Sequence, residues 1–199
     1  AVDVVQALPA LQPDQLVISI IAGIDTRSLG DWLPDRQPIV RCMPNTPALL
    51  GAGITGLYAN SWVTNIQRGE AEAILNGVGS SVWVSEEGQL DAVTAVSGSG
   101  PAYYFLLMES MIESAQALGL DVTTSRRLVV ETARGAALMA CEPKADPGAL
   151  RRNVTSPGGT TEAALRVMQE ENLSRIVDRA LGAAKQRAEA LATEFGSKA

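Results

Sequence analysis

The sequence changes character near residue 94, and this change constrains the fold more than any other feature. Before it, short apolar runs of strand length are separated by turn residues, at residues 16–21, 38–43, 54–59 and 81–84. Two stretches between these runs, residues 25–33 and 68–78, predict short helices. Strands that alternate with helices predict an α/β domain. The nearly unbroken Val and Ile run at residues 16–21 predicts a parallel strand that is covered on both faces.

After residue 94 only helical periodicity remains. Apolar residues recur every three or four positions over residues 104–118, and Gly119 marks the end of that helix. Further helices are predicted at residues 124–140, 147–153, 161–171 and 173–195. Small residues on the apolar stripes, such as Ala184 and Ala188, would allow close helix packing. We therefore expect an all-helical half that packs against a second copy of the chain. The alternative is a self-contained bundle in which alanine is simply a good helix former.

Composition excludes several classes of protein. The 199 residues contain no histidine, which excludes an imidazole base, a Ser/His pair and a His-ligated metal. Cys42 and Cys141 stand far apart, so no metal site is predicted and both are interpreted as buried thiols. A net charge of −6 without a large basic cluster argues against nucleic-acid binding. The longest apolar run, residues 16–24, is too short to span a membrane. No secretory signal is visible, so a cytoplasmic location is expected.

Two glycine-rich segments carry most of the chemical information. The first, Ser-Gly-Ser-Gly-Pro at residues 97–101, stands before a helix predicted to begin near Ala102, with Pro101 at its first position. Backbone N–H groups, the hydroxyls of Ser97 and Ser99 and the positive end of the helix dipole could bind a carboxylate or a phosphate there. The alternative is a simple serine cap with flexible glycines.

The second glycine-rich segment covers residues 153–161 and has the same design. The Asn153 amide and four hydroxyl side chains surround a Pro-Gly-Gly bend that stands at a helix start. An ordinary capped turn is the alternative. Together the two segments predict the two halves of a pocket for a small carboxylate with a polar neighbour.

A third segment, Arg-Cys-Met-Pro-Asn-Thr-Pro at residues 41–47, is a predicted strand that ends in a turn. In open α/β sheets, ligands bind beyond the carboxyl ends of the strands. We therefore expect residues 43–46 and the Ala22-Gly23 end of the first strand to line a cofactor crevice.

These segments, together with Asp-Ala-Val-Thr at residues 91–94, occur in an order and spacing that closely resembles the pyrroline-5-carboxylate reductase family, the last enzymes of proline biosynthesis. The resemblance extends from about residue 16 to residue 195. It implies an α/β Rossmann-type nucleotide-binding domain, incomplete here, over residues 1–93. It also implies an all-α dimerisation and substrate-binding domain over residues 94–199. The expected assembly is an interlocked homodimer, which can form a larger ring.

The implied reaction is the reduction of 1-pyrroline-5-carboxylate to L-proline by hydride transfer from NADPH or NADH. An imine needs no nucleophile, metal or histidine, because protonation of its nitrogen makes the carbon electrophilic. The protein must supply orientation, an anion cradle and a route for one proton. The proton donor stays open among a hydroxyl, a water and an already protonated substrate. A non-catalytic helical assembly module with an anion pocket, or a related two-domain dehydrogenase for another small acid, are the alternatives.

The resemblance also assigns site residues. Thr161 would hydrogen-bond the ring nitrogen, and the residues with implied catalytic roles are Thr161, Ser156 and Thr94. The implied substrate-binding residues are Glu87, Ser97, Gly98, Ser99, Gly100, Pro101, Gly158, Gly159, Thr160 and Thr161. The implied cofactor-binding residues are Ile20, Ile21, Ala22, Met43, Pro44, Asn45, Thr46 and Asn153.

One departure from the family pattern concerns the cofactor phosphates. The family begins with a strand and a G-x-G-x-x-G turn that holds the pyrophosphate, whereas the first glycine here is Gly23. We therefore expect that the first part of the nucleotide domain is missing and that the sheet has an exposed edge. The 199 residues alone are expected to bind NADPH poorly and to show little activity.

Overall fold

The structure, a computed structural model, describes Val5 and residues 11–196, with side chains as far as residue 194. Packing groups the described residues up to Pro101 with those from Arg179 onward into a first unit. Residues Ala102–Asp178 form a second unit. The last helix therefore begins in the second unit and ends in the first. The predicted domain boundary between residues 93 and 94 stays a prediction.

The first unit is built on a four-stranded sheet with the order β1-β2-β3-β4. Its strands are β1 (Val17–Ser19), β2 (Ile39–Met43), β3 (Gly53–Ala59) and β4 (Gly79–Trp83). β1 and β2 are parallel, β3 is antiparallel to β2, and β4 is parallel to β3. All four predicted strands are present. β1 and β2 thus run in one direction and β3 and β4 in the opposite one. The carboxyl ends of β1 and β2 therefore meet at one edge of the sheet, which we call the β1–β2 carboxyl edge.

β1 differs from its prediction. It is only three residues long and lies at an edge of the described sheet. Val17 and Ile18 are half-buried, and Ile20 just beyond the strand is 62% exposed. The prediction of a strand covered on both faces is therefore wrong for β1, because an edge position leaves an apolar strand only partly covered.

Within residues 11–101, three α-helices accompany the sheet: α1 (Thr26–Gly30), α2 (Asn65–Asn76) and α3 (Gln89–Val93). Thr64 and Gln67 form a capping box at the start of α2, which fixes that end by local hydrogen bonds. A short 3-10 helix, Thr46–Leu50, connects β2 to β3. One core cluster lies between the sheet and α2, and its members are Val40, Cys42, Leu57, Ala59, Ala71 and Leu75. A second cluster, which includes a residue of α1, consists of Ile24, Leu29 and Ile39.

α3 continues through a π-helical turn, Thr94–Gly98, into α4 (Gly100–Ala117). Ser99 N donates to Thr94 O at 2.8 Å, which is the i to i−5 bond of a π turn. α4 thus begins two residues before the predicted start near Ala102, but the chain ahead of it, residues 94–98, is itself helical. The predicted exposed helix start at residues 97–101 is therefore wrong. Pro101 is tolerated because the first turn of a helix needs no N–H donor.

The second unit holds only helices. They are the rest of α4, then α5 (Val122–Ala140), α6 (Pro147–Asn153), α7 (Thr160–Glu170) and the start of α8 (Leu173–Gly196). Each predicted helix is confirmed within two residues. Asp121 and Asp146 cap α5 and α6 by accepting hydrogen bonds from backbone N–H groups.

The second unit leaves most of its apolar surface uncovered. Only Ser125 and Val129 are buried among residues 102–178. Large apolar side chains that are more than half exposed include Tyr104, Phe105, Leu106, Leu138, Val167 and Ile176. Exposed apolar surface of this extent marks a protein interface. It therefore favours packing against another chain over a self-contained bundle.

The two cysteines differ. Cys42 is buried in the core, and burial raises the pKa of its thiol to about 12. Cys141 is exposed where α5 ends, so the prediction of a buried thiol is confirmed for Cys42 and wrong for Cys141. In the part of the chain that the structure describes, no helix combines the length and the apolar character needed to cross a membrane.

Candidate active site

The β1–β2 carboxyl edge contains a small cavity. Its volume is about 30 Å³, which leaves room for about two water molecules. It is lined by the loop after β1, by the end of β2, by α3 with the π turn, and by α8; the residues are Ile21, Ala22, Gly23, Arg41, Cys42, Met43, Leu90, Asp91, Thr94, Ala188 and Leu191. The structure therefore brings predicted cofactor residues of the first unit together with Thr94, one of the predicted catalytic residues.

Asn45 joins the turn after β2 to the π turn. Its Nδ2 donates to Ser97 O at 3.1 Å, and its Oδ1 accepts from Ile54 N at 3.0 Å. The Ser97 carbonyl has no helical donor four residues later, because Pro101 carries no N–H. Asn45 thus donates a hydrogen bond to a carbonyl that lacks its usual helical donor. Both polar ends of its side chain are occupied, and its predicted contact with the cofactor stays a prediction.

Gly98 lies against Met43. A Cβ atom built on Gly98 would stand 2.9 Å from Met43 Cε, so a larger residue would push the Met43 side chain away. Two segments that were both predicted to line the site, residues 43–46 and 97–101, are therefore in direct contact. Close approach to a side chain, rather than a turn, explains this glycine.

The serine and threonine hydroxyls of the π turn bond to the chain itself. Thr94 Oγ1 donates to Leu90 O at 2.7 Å, and Ser97 Oγ donates to Val93 O at 3.0 Å. These donors, like the N–H of Ser99, satisfy helix carbonyls. The predicted anion cradle of free donors is therefore not formed by these groups, and substrate contact by residues 97–101 stays a prediction.

Glu87 has partners from two other elements. Its Oε1 accepts from Thr26 N, and its Oε2 accepts from Thr26 Oγ1, both at 2.7 Å. Arg41 Nη1 donates to Glu87 Oε1 at 3.3 Å. The prediction that Glu87 contacts the substrate stays a prediction, and in this structure its carboxylate holds the start of α1.

Asp91 lies beside the cavity and near both charges of that pair. Burial raises the pKa of the Asp91 carboxyl above its ordinary value. The carboxylates of Glu189 and Glu87 act in the same direction, while Arg41 and Lys185 oppose it. An aspartate whose ionised form is disfavoured at a cavity is typical of functional sites.

Arg41 and Asp91 belong to the sequence motifs at residues 41–47 and 91–94, but the sequence predicted no role for either residue. A signal for Arg41 exists in the sequence, since it is a charged residue inside an apolar strand run. Such a residue is seldom buried without a partner of opposite charge. The partner itself, 46 residues later, could not be chosen from the sequence.

In the second unit, residues 158–161 form an open helix start. Gly158 has a left-handed backbone with a φ of 71°, and Gly159 is the N-cap of α7. The first helical bond runs from Ala163 N to Gly159 O at 3.1 Å. The N–H groups of Thr160 and Thr161 therefore have no acceptor within the helix. This geometry is the one predicted for an anion-binding helix start.

Glu162 is a residue of this helix start that sequence reasoning missed. Its Oε2 accepts from Gly158 N at 2.7 Å and so holds the bend. An acidic residue three positions after an N-cap is the available signal. Asn153 ends α6, and Ser156 is exposed between the two helices. The first glycine-rich segment belongs to the first unit and this one to the second, so their convergence on one ligand stays a prediction.

Comparison with known proteins identifies the family. A family model described as pyrroline-5-carboxylate reductase dimerisation matches residues 87–191. A pyrroline-5-carboxylate reductase of Pseudomonas aeruginosa is 53% identical over 194 residues, which are 97% of this chain and 71% of that protein. The chain belongs to the pyrroline-5-carboxylate reductase family. A pyrroline-5-carboxylate reductase of Haemophilus influenzae is 44% identical over 183 residues, 92% of this chain and 68% of its own.

Solved structures agree with this assignment. A pyrroline-5-carboxylate reductase from Coxiella burnetii has a TM-score of 0.88 and 44% identity, and the match covers 96% of this chain and 68% of that one. A Plasmodium falciparum pyrroline carboxylate reductase with NADP bound has a TM-score of 0.81 and 31% identity, over 89% of this chain and 68% of that one. The resemblance and the predicted fold class are confirmed. The dimerisation match includes the whole second unit, which explains its exposed apolar surface.

Proposed function

We propose that the chain acts as a pyrroline-5-carboxylate reductase, an oxidoreductase that reduces 1-pyrroline-5-carboxylate to L-proline with NADPH or NADH. The observation that carries this proposal is the 53% identity with a reductase over 97% of the chain. The reaction suits the chain because hydride transfer to an imine needs no histidine, and the sequence contains none.

The β1–β2 carboxyl edge fits the nicotinamide end of the cofactor. Ile21, Met43 and Pro44 give a half-buried apolar surface there, and Gly23 turns the chain with a φ of 77°. A flat, weakly polar ring suits such a surface. We assign the cofactor contacts to Ile20, Ile21, Ala22, Met43, Pro44, Asn45, Thr46 and Asn153. The G-x-G-x-x-G pattern at residues 51–56 runs into β3 instead of opening a helix, so it lacks the strand–turn–helix context of a pyrophosphate-binding turn. The reduced nicotinamide supplies the hydride when it is bound.

The start of α7 fits the substrate carboxylate. The N–H groups of Thr160 and Thr161 point out of the first helical turn, where the helix dipole also favours an anion. The Thr161 hydroxyl would donate a hydrogen bond to the ring nitrogen or accept one from it. Ser156 and Thr94 are the further hydroxyls assigned to the site. A hydroxyl or a water would transfer the single proton that the reduction requires.

The remaining assignments follow from the same proposal. The nucleotide-binding part covers residues 1–93, and the dimerisation and substrate-binding part covers residues 94–199. The chain forms a homodimer through its second unit, and we propose that the dimers can assemble into a larger ring. The proposed location is the cytoplasm.

The test is a reductase assay on the complete gene product and on the 199-residue chain side by side. Loss of NADPH absorbance that depends on 1-pyrroline-5-carboxylate is the expected result for the gene product. Thr161→Ala should lower kcat/KM by on the order of 100-fold and leave the unfolding midpoint unchanged. Thr193→Ala is the matched control, since Thr193 lies outside the assigned site and its hydroxyl donates to Glu189 O of its own helix.

Titration calorimetry with proline and with NADPH separates the alternatives. Binding of both by the gene product supports the reductase. Binding of proline or of simple anions with no response to a nicotinamide would instead favour a non-catalytic assembly module. Turnover of a different small acid would favour a related dehydrogenase.

A further inference from the structure

Glu87 and Arg41 connect three separate elements at the β1–β2 carboxyl edge. Glu87 stands between β4 and α3, and its carboxylate accepts hydrogen bonds both from Thr26 at the start of α1 and from Arg41 on β2. We propose that these two residues are positioning residues, which fix the loop at residues 20–25 in the shape that the cofactor needs. This inference rests on the proposed function, because that loop contains the assigned cofactor contacts at residues 20–22.

The hydrogen bonds explain how the loop is held. Thr26 is the first residue of α1, so its N–H has no acceptor within the helix. Glu87 accepts from both the N–H and the hydroxyl of Thr26 at 2.7 Å. Asp25, the N-cap, accepts from Ser28 N at 2.7 Å. Two carboxylates thus bond the start of a helix only five residues long, and one of them comes from 61 positions away.

Charge explains why Glu87 and Arg41 depend on each other. The Arg41 side chain is only 10% exposed and the Glu87 side chain 21% exposed. A buried cation or carboxylate that loses its partner is strongly disfavoured. Burial raises the pKa of Asp25, but hydrogen bonds from Ser28 and the charges of Arg41 and Arg27 outweigh it, so that the pKa is lowered. Arg41 thus interacts with both carboxylates at the start of α1: its charge contributes to the lowered pKa of Asp25, and its Nη1 donates to Glu87 Oε1.

A positioning role predicts a particular kinetic pattern. Loss of Glu87 releases the loop that carries the cofactor contacts, whereas it leaves the α7 helix start in the second unit unchanged. The KM for NADPH should therefore rise, while the KM for 1-pyrroline-5-carboxylate and kcat at saturating NADPH change little. A residue that binds the substrate carboxylate would give the opposite split, with the increase in the KM for the pyrroline.

The experiment uses the complete gene product and the variants Glu87→Ala, Glu87→Gln, Thr26→Ala and Arg41→Lys. Glu87→Ala should raise the KM for NADPH about 10-fold or more, since it removes hydrogen bonds to a charged group. Glu87→Gln keeps the size and one acceptor and should give a smaller increase. Thr26→Ala removes only the hydroxyl bond without leaving a buried charge, so it remains informative if Glu87→Ala does not fold. Glu86→Gln, at an exposed neighbour, changes the net charge equally and is the control.

Hydrogen–deuterium exchange without cofactor gives a second readout. The amides of residues 20–26 should exchange faster in Glu87→Ala and Arg41→Lys than in the unsubstituted protein. The amides of α2 should exchange at the same rate in all of these proteins, and Glu86→Gln should leave the exchange of residues 20–26 unchanged. An unchanged loop together with a raised KM for the pyrroline would overturn the proposal and make Glu87 a substrate-binding residue. If the unsubstituted gene product reduced no pyrroline, the proposed function would fail. If Glu87→Ala left the exchange of residues 20–26 unaltered, the positioning role would be refuted separately.

Discussion

Asn45→Ala tests whether the bond between the turn after β2 and the π turn stabilises the fold. The substitution removes two hydrogen bonds of ordinary length, 3.1 Å to Ser97 O and 3.0 Å from Ile54 N. Each contributes about 1 kcal/mol net, so the free energy of unfolding should fall by about 2 kcal/mol. For a chain of this size that corresponds to an unfolding midpoint lower by about 4–8 °C.

The measurement is chemical unfolding at one fixed protein concentration, because dimer formation makes apparent stability depend on concentration. Asn76→Ala is the matched control. Its side chain accepts one hydrogen bond from Ser81 at an exposed site, so its stability should change by less than about 0.5 kcal/mol.

A second substitution tests the cause. Pro101→Ala restores an N–H that can reach the Ser97 carbonyl four residues earlier. In that background Asn45→Ala should cost about 1 kcal/mol less, a coupling that a double-mutant cycle measures. The account would be refuted if Asn45→Ala lowered the free energy of unfolding equally with and without Pro101. A loss below about 0.5 kcal/mol for Asn45→Ala alone would also refute it.

Three further predictions concern packing, a buried hydroxyl and a titrating carboxyl. Gly56→Ala would place a methyl group 2.6 Å from Val93 Cγ1 and should lower stability by about 1–3 kcal/mol, as measured by denaturant unfolding. Gly69→Ala on α2, where open space surrounds the new Cβ, should instead stabilise by about 0.5–1 kcal/mol, and equal losses would contradict the packing argument. Ser125 Oγ is buried without a hydrogen-bond partner among the described residues, so Ser125→Ala should leave stability unchanged or raise it by up to about 1 kcal/mol; a clear loss in thermal unfolding would disprove this. The raised pKa of Asp91 means that the folded state binds its proton more tightly, so stability falls as pH rises through that pKa. Asp91→Asn should therefore raise the unfolding midpoint at pH 7, and a gain of the same size at pH values below the pKa would be inconsistent with this cause.

Local patterns predicted the helices well because their end signals are local. α6 matches its prediction residue for residue, and its N-cap Asp146 bonds to N–H groups two and three positions later. α5 begins after Asp121 in the same manner. Where the signal and its partner lie within one turn of chain, periodicity and capping chemistry suffice.

Contacts between distant segments could not be predicted. Asn45 bonds to a carbonyl 52 residues away, and Glu87 bonds to a residue 61 positions away. Motif resemblance placed both residues at the site but assigned them to ligands. A side chain's oxygen and nitrogen atoms suit a ligand and a backbone group equally well, so residue type alone does not distinguish the two roles.

The two glycine-rich segments show the same limit most clearly, because similar compositions produce different backbones. At residues 158–161 a glycine with a φ of 71° ends one turn and opens a helix with free N–H groups. At residues 97–101 the chain passes from the π turn into α4, where Gly98 lets the π turn approach Met43. Glycine serves backbone conformation in the first case and close packing in the second. The two segments differ in the elements that flank and contact them. Only the segment at residues 158–161 therefore has the open helix start that its sequence indicates.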